Sequence, residues 1–268
     1  MNPKFRFGLR FLNHYLTAHG TRGHGIHSPF LYDFVLNVLK DRSPQQAFSE
    51  ISSLRKALFK DDSILHLEDL GAGQSEEKNS ARSVASIISR SAVSENQGKF
   101  LFRMSQHYRP RSILELGTSL GLSACYLSSG NPEAQVMTIE GASAAAMQAE
   151  RNFRKLGLEN VLVHVGGFDE VLPFLIKQPG SIDMAYIDGN HRKEPTLNYV
   201  NFLIPHMSSS SVIILHDIHW SREMEDAWET ILEDRRLLLT VDLFFFGLIF
   251  FREDFRVKQH FSIRFPTR

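Results

Sequence analysis

Four acidic residues close four short apolar runs in this sequence: Glu115 in SILELG, Glu140 in QVMTIE, Asp188 in IDMAYID and Asp217 in SVIILHD. Carboxylates gathered at one place repel one another unless a cation sits among them. Acids repeated at strand ends therefore point to a ligand carrying sulfonium, ammonium or metal charge. The first acid belongs to ELGTSLG, in which Gly117 and Gly121 stand four residues apart. A glycine turn between a strand and a helix lets a nucleotide-like ligand reach bare backbone, with the first helical N–H groups pointing at it. Glu140 follows about twenty residues beyond the glycines, where a carboxylate accepts two hydrogen bonds from a ribose diol.

The glycine spacing separates two ligand classes. A dinucleotide fold uses G-x-G-x-x-G to cradle a pyrophosphate, whereas this turn has two glycines and an acid inside it. Glu115 would repel a pyrophosphate but would hold, directly or through water, the ammonium group of S-adenosylmethionine. Thr118 and Ser123 lie in or just after the same turn. A bare strand-to-helix turn would carry the same glycines without any ligand, and the acids downstream weigh against that reading.

Three later stretches add candidates. In Gly166-Gly167-Phe168-Asp169, Gly167 opens a turn and Phe168 is placed either to stack on an adenine or to fill the core. In IDMAYIDGNHRKEPTLNY, Asp188 is followed three residues later by His191, and imidazole is the side chain best suited to taking a proton near neutral pH. In LHDIHW, Asp217 precedes His219 and Trp220. Any one of these residues has a plain structural explanation, as a core histidine or a helix cap; four acids at four strand ends are harder to explain that way.

The elements that must position these residues are legible as an alternation. Strands are predicted at 111–116, 135–140, 160–165, 182–187 and 211–216, with helices at 121–129, 142–156, 168–177, 194–203 and 222–234. An antiparallel pair, Leu237 to Leu243 and Gly247 to Arg252, closes the sheet. Such alternation implies a parallel sheet with helices on both faces. Before it, residues 1–20 place Phe5, Leu9, Leu12 and Leu16 at helical spacing, suiting packing on the chain's own domain or on a second subunit more than a membrane surface. Ser28 and Pro29 read as an N-cap and first helical position. His24 and His27 lack further ligands and suit a structured turn. LEDLGAGQS, residues 67–75, imitates a cofactor loop without the strand and acid that should follow. Residues 81–109 read as one or two helices with a break near Gly98.

Composition excludes several classes. Thirty basic and 30 acidic residues over 268 give no global attraction to nucleic acid. The single cysteine, Cys125, excludes an internal disulfide and suits a buried helical position. No apolar run approaches the roughly 20 residues of a membrane span, and no secretory leader pattern opens the chain, so a cytoplasmic location is expected.

From 99 to about 252 the sequence resembles the catechol O-methyltransferase-like group of class I S-adenosylmethionine-dependent methyltransferases. HGIHSPF, ELGTSLG, DGNH and DIHWSREMEDAW are together similar to a bacterial subgroup of that family. The resemblance implies an α/β, Rossmann-like, doubly wound sheet of seven mostly parallel strands with an antiparallel last strand, over 99–268. Residues 1–98 would form an N-terminal helical extension. It implies S-adenosylmethionine as cofactor and a hydroxyl of a small molecule as methyl acceptor. Glu115, Gly117, Thr118, Gly121 and Ser123 would hold its methionine end, Glu140 the ribose, and Gly167 with Phe168 the adenine. Asp188 would border the cofactor, His191 falls where the family's catalytic lysine stands, and Asp188 and Asp217 match two metal-binding acids. The family's third ligand is an asparagine, and Ile218 stands there instead. His219 is the nearest substitute, suited to zinc, iron or manganese rather than magnesium, so a divalent metal stays an open alternative. Nucleic-acid methylation is disfavoured: no Asn/Asp-Pro-Pro-aromatic motif is present, and no proline precedes Cys125. Other readings are a nicotinamide-dependent oxidoreductase and a non-catalytic S-adenosylmethionine-binding partner protein. The sequence leaves the oligomeric state open, a homodimer included.

Overall fold

The computed structural model describes residues 3–18, 28–68, 79–177 and 182–266. They belong to two compact units, one of residues 1–40 and 181–268 and the other of residues 41–180. The first opens with α1 (Pro3–Thr17) and α2 (Pro29–Phe34), the latter continued by a π-helical turn over Val35–Leu39. As the sequence implies, the Ser28 hydroxyl caps α2 by accepting from the Leu31 amide, with Pro29 in the first helical position. His24, His27 and the glycines of the 67–75 loop lie outside the described residues.

The unit of residues 41–180 contains α3 (Gln46–Leu58) and an antiparallel hairpin of β1 (Ile64–Glu68) and β2 (Asn79–Ser83). The hairpin shows that the segment before residue 98 is not helical throughout. Two helices follow, α4 (Val84–Ser91) and α5 (Glu95–Tyr108). The expected break near Gly98 is displaced to residues 92–94, where Ser94 and Gln97 form a reciprocal capping box. Gly98 is instead an interior residue of α5, because a Cβ there would lie 2.1 Å from a ring carbon of Tyr126. It marks a close helix crossing, not a break.

The alternation then runs through β3 (Ser112–Leu116), α6 (Leu122–Gly130), β4 (Gln135–Glu140), α7 (Ser143–Lys155), β5 (Val161–Val165) and α8 (Phe168–Ile176). The three strands pair in parallel, Leu116 opposite Ile139 and Glu140 opposite Val165. Ile113, Leu114, Leu116, Val136 and Ile139 are wholly buried, as expected of strands covered on both faces.

The remaining elements belong to the first unit: β6 (Ile182–Ile187), α9 (Lys193–Leu203), β7 (Met207–His216), α10 (Arg222–Glu233), β8 (Leu239–Asp242), β9 (Phe246–Phe250) and β10 (Gln259–Ser262). β6 and β7 are parallel, and β9 runs antiparallel to both β7 and β8. Apart from the hairpin the described residues form eight strands, not the seven expected, because β10 adds to β8 in parallel. Its sequence, QHFS, has too little apolar alternation to announce itself and is a strand through pairing. α1 packs within this unit, Phe7 and Phe11 meeting Phe244 edge-on at 5.2 and 5.0 Å, while Arg10 pairs with Glu225 at 2.5 Å. No helix among the described residues is long and apolar enough to cross a membrane.

Gly98 provides a test of the packing. Alanine should gain up to about 1 kcal/mol of helix propensity, but overpacking of the Tyr126 ring costs about 1–3 kcal/mol. Gly98→Ala is therefore expected to lower the denaturant midpoint, and a raised midpoint would show that the crossing of α5 and α6 has room to spare.

Candidate functional site

The turn after β3 is built from backbone first. Gly117 (φ 104°), Ser119 (φ 48°) and Gly121 (φ 82°) all adopt left-handed conformations, which only glycine accepts without strain. The Gly117 and Thr118 amides both donate to the Ile139 carbonyl, at 3.0 and 3.2 Å, fastening the turn to β4. Gly121 is also a close approach: a Cβ would lie 2.6 Å from the Phe153 ring of α7. α6 begins at this glycine with no side-chain cap, leaving its first amides toward the turn.

Two acids lock this turn from different sides. Glu115 is wholly buried, its Oε2 accepting from the Thr138 hydroxyl at 2.5 Å, and the Thr138 and Thr118 hydroxyls stand 2.6 Å apart. Glu140 at the end of β4 spans the turn and the start of α7: Oε2 accepts from the Ser119 amide at 2.7 Å and Oε1 from the Ala142 amide at 3.0 Å. Burial raises its pKa, while the Ala142, Ser119 and Gly141 amides pull the other way. A carboxylate offers about four acceptor lobes, more than these amides use. Ser123 lies buried in the first turn of α6, and Gly167 and Phe168 form the N-cap and first residue of α8.

In the other unit a second group of polar side chains stands where β6 and β7 end. The register pairs Ile187 with Leu215, so the next positions, Asp188 and His216, are neighbours across the parallel pair. His216 Nδ1 lies 2.7 Å from Asp188 Oδ1, the Tyr186 hydroxyl donates to Asp188 Oδ2 at 2.9 Å, and His191 Nε2 lies 3.4 Å from Asp188 Oδ1. Tyr186 and Asp188 are two residues apart, which puts them on one face of the strand. Burial alone would raise the Asp188 pKa, but His216 and His191 hold it far below the usual carboxylate range. Burial likewise opposes charge on His216, and Asp188 followed by Asp217 overcomes it, raising the imidazole above its ordinary value. Asn190 (φ 64°) and Asp217 (φ 56°) hold left-handed backbone here, a clustering of strain typical of functional sites.

His219 faces a different group. Its Nε2 lies 2.8 Å from Asp242 Oδ2 and its Nδ1 3.5 Å from Glu225 Oε1. Asp242 also approaches His14 of α1 at 3.1 Å and accepts from the Phe244 amide at 2.7 Å.

The structure therefore brings Asp188 and His191 together, leaves Asp217 at 3.7 Å from His216 Nε2, and commits His219 to Asp242 and Glu225. This donor set does not fit a divalent ion. Both oxygens of Asp188 are already engaged, and Ile218, wholly buried, has no donor atom. Among the described residues no group of three or more His, Cys, Asp or Glu side chains is arranged to hold a metal. Sequence reasoning missed His216, Tyr186 and Asp242. The signal for His216 was a polar residue ending the apolar strand beside Asp217; the Asp242 group depends on α1 and has no local signature.

Residues 114–218 match the model of a family described as a methyltransferase domain. A catechol O-methyltransferase of Mycobacterium tuberculosis is 33% identical over 140 residues, covering 52% of this chain and 62% of the relative. One from Niastella koreensis is 32% identical over 129 residues, covering 47% and 57%. The chain thus spans less than two thirds of the length of these curated relatives. The crystal structure of the O-methyltransferase TomG from Streptomyces achromogenes in complex with SAM superposes with a TM-score of 0.55 at 20% identity, covering 83% of this chain and 95% of that one, a likeness of fold. Residues 114–218, which hold the glycine turn, Glu140 and Asp188, are thus the part of the chain that is similar to a methyltransferase domain.

Proposed function

We propose that this chain is an S-adenosylmethionine-dependent methyltransferase acting on a hydroxyl group of a small molecule, with residues 99–268 as its methyltransferase part and residues 1–98 as an extension. The observation that carries the reading is Glu140. Its carboxylate fixes the glycine turn through the Ser119 and Ala142 amides and still has acceptor capacity for a ribose diol. The domain match over 114–218 and the named relatives support the same activity.

When bound, S-adenosylmethionine supplies an electrophilic methyl group on a sulfonium. The residues for holding it are Gly117, Thr118, Gly121 and Ser123 around the turn, with Glu115 beneath it as the nearby negative charge, Glu140 at the ribose, and Gly167 and Phe168 at the adenine. Asp188 acts as an orienting group: with its carboxylate near Nε2, His191 has Nδ1 for the proton of the acceptor hydroxyl as the oxygen–methyl bond forms. The protein's contribution is alignment for in-line displacement together with this base. No step passes through a metal.

Two substitutions test this assignment. Glutamine at position 140 puts an NH2 group against a backbone amide and removes the charge, a loss of about 1.5–3 kcal/mol. Glu140→Gln should weaken S-adenosylhomocysteine binding by roughly ten- to a hundred-fold in calorimetry. In the wild type, affinity should fall as pH drops through the raised pKa of Glu140, starting above the usual glutamate range. Unchanged affinity in the variant would remove Glu140 from the site.

Asp188 distinguishes an ion pair from a metal site by the sign of one measurement. Removing a charge from acids gathered for an absent cation relieves repulsion and stabilises the protein. Removing the partner of a buried imidazolium destabilises it, by about 3 kcal/mol or more. Asp188→Asn is expected to lower the unfolding free energy in chelator, and a stabilised variant would restore Asp188 as a metal ligand.

A further inference from the structure

Helix α1 has two apolar faces, of which the described residues cover one. The inner face holds Phe7, Arg10, Phe11 and His14, fixed by the rings of Trp220 and Phe244 and by Glu225 and Asp242. These contacts set the rotation of the helix, and at about 100° per residue they turn Leu9, Leu12 and Leu16 outward as one stripe. The three leucines are 46%, 52% and 66% exposed. Beside them Tyr15 is 45% exposed, and Trp220, which meets Phe7 edge-on, is 61% exposed. Single exposed leucines are ordinary; a continuous stripe on a helix already anchored by its opposite face marks a binding surface.

The charge around the stripe identifies the kind of partner. The first acidic residue of the chain is Asp33, and the 32 residues before it include Lys4, Arg6 and Arg22, besides Arg10, whose charge Glu225 answers on the inner face. Over the whole chain the charges balance, so basic charge is concentrated at this end. Arg6 is exposed next to the stripe. Leucines flanked by basic residues with no acid among them complement a surface that is apolar within and anionic at its boundary. A second copy of the chain suits the stripe less well, since in a two-fold contact each helix would meet an equally basic one. Nucleic acid would answer the charge but not the leucines.

We propose that the outer face of α1 docks the protein on an anionic membrane surface, with Leu9, Leu12 and Leu16 entering the headgroup boundary and Arg6 beside the lipid phosphates. The helix lies on the surface; it does not span it.

The test is co-sedimentation of the full chain with vesicles rich in phosphatidylglycerol, against vesicles of phosphatidylcholine alone. Binding is expected to the anionic vesicles only and to weaken with added salt. Leu12→Glu with Leu16→Glu should lower the bound fraction by about tenfold or more, while the circular dichroism spectrum and melting temperature stay unchanged. Should the double variant fail to fold, Arg6→Glu, which leaves the leucines in place, is expected to reduce binding to the anionic vesicles. The proposal is overturned if the wild type does not sediment with anionic vesicles or binds both compositions equally. It is also overturned if the wild type is a dimer in solution that Leu12→Glu with Leu16→Glu converts to a monomer.

Discussion

A carboxylate taken out of water must find donors, and this requirement shapes the strand ends of the protein. Glu115, Glu140, Asp188 and Asp242 lie at or next to the ends of β3, β4, β6 and β8, and each is answered locally. Glu115 has the Thr138 hydroxyl, Glu140 two backbone amides, Asp188 a tyrosine and two histidines, Asp242 two histidines and the Phe244 amide. An isolated buried charge costs far more than one hydrogen bond returns, so these donor sets are conditions for the fold as well as features of the site. Left-handed backbone at Ser119, Asp217 and Phe244 accompanies them, chain geometry being bent to bring donors to acids.

The same constraint explains why the acids were legible in sequence and their partners were not. An acid that ends an apolar run stands out, because the run is a strand and its last residue leaves the sheet at a known edge. Its donors come from afar: Asp188 and His216 are 28 residues apart, and His14 reaches Asp242 from the first helix. Only the parallel register of β6 and β7 makes the first pair neighbours. The strands and helices between 112 and 233 were readable because periods of 2 and 3.6 alternate there. β10 and the β1–β2 hairpin were not, since QHFS and NSARS are strands by virtue of their partners. Gly98 misled for a related reason. In a helix a glycine reads as a break, yet this one exists because the Tyr126 ring passes where a side chain would be.

The departure from the family pattern at Ile218 acquires a structural meaning. Where relatives are expected to present a third oxygen donor, this chain buries an isoleucine, and the neighbouring acid Asp188 carries a histidine pair. Positive charge near the end of β6 is then supplied by the protein itself.

The proposed function requires a turn that accepts S-adenosylmethionine and a site that works without a metal. One titration addresses both: purified chain, exhaustively treated with chelator, against S-adenosylhomocysteine and, separately, against reduced nicotinamide dinucleotide. Saturable one-to-one binding of the first, unchanged when magnesium or zinc is restored, with none of the second, is the predicted result. Binding of the nicotinamide, or affinity for S-adenosylhomocysteine that appears only with the metal, would contradict it.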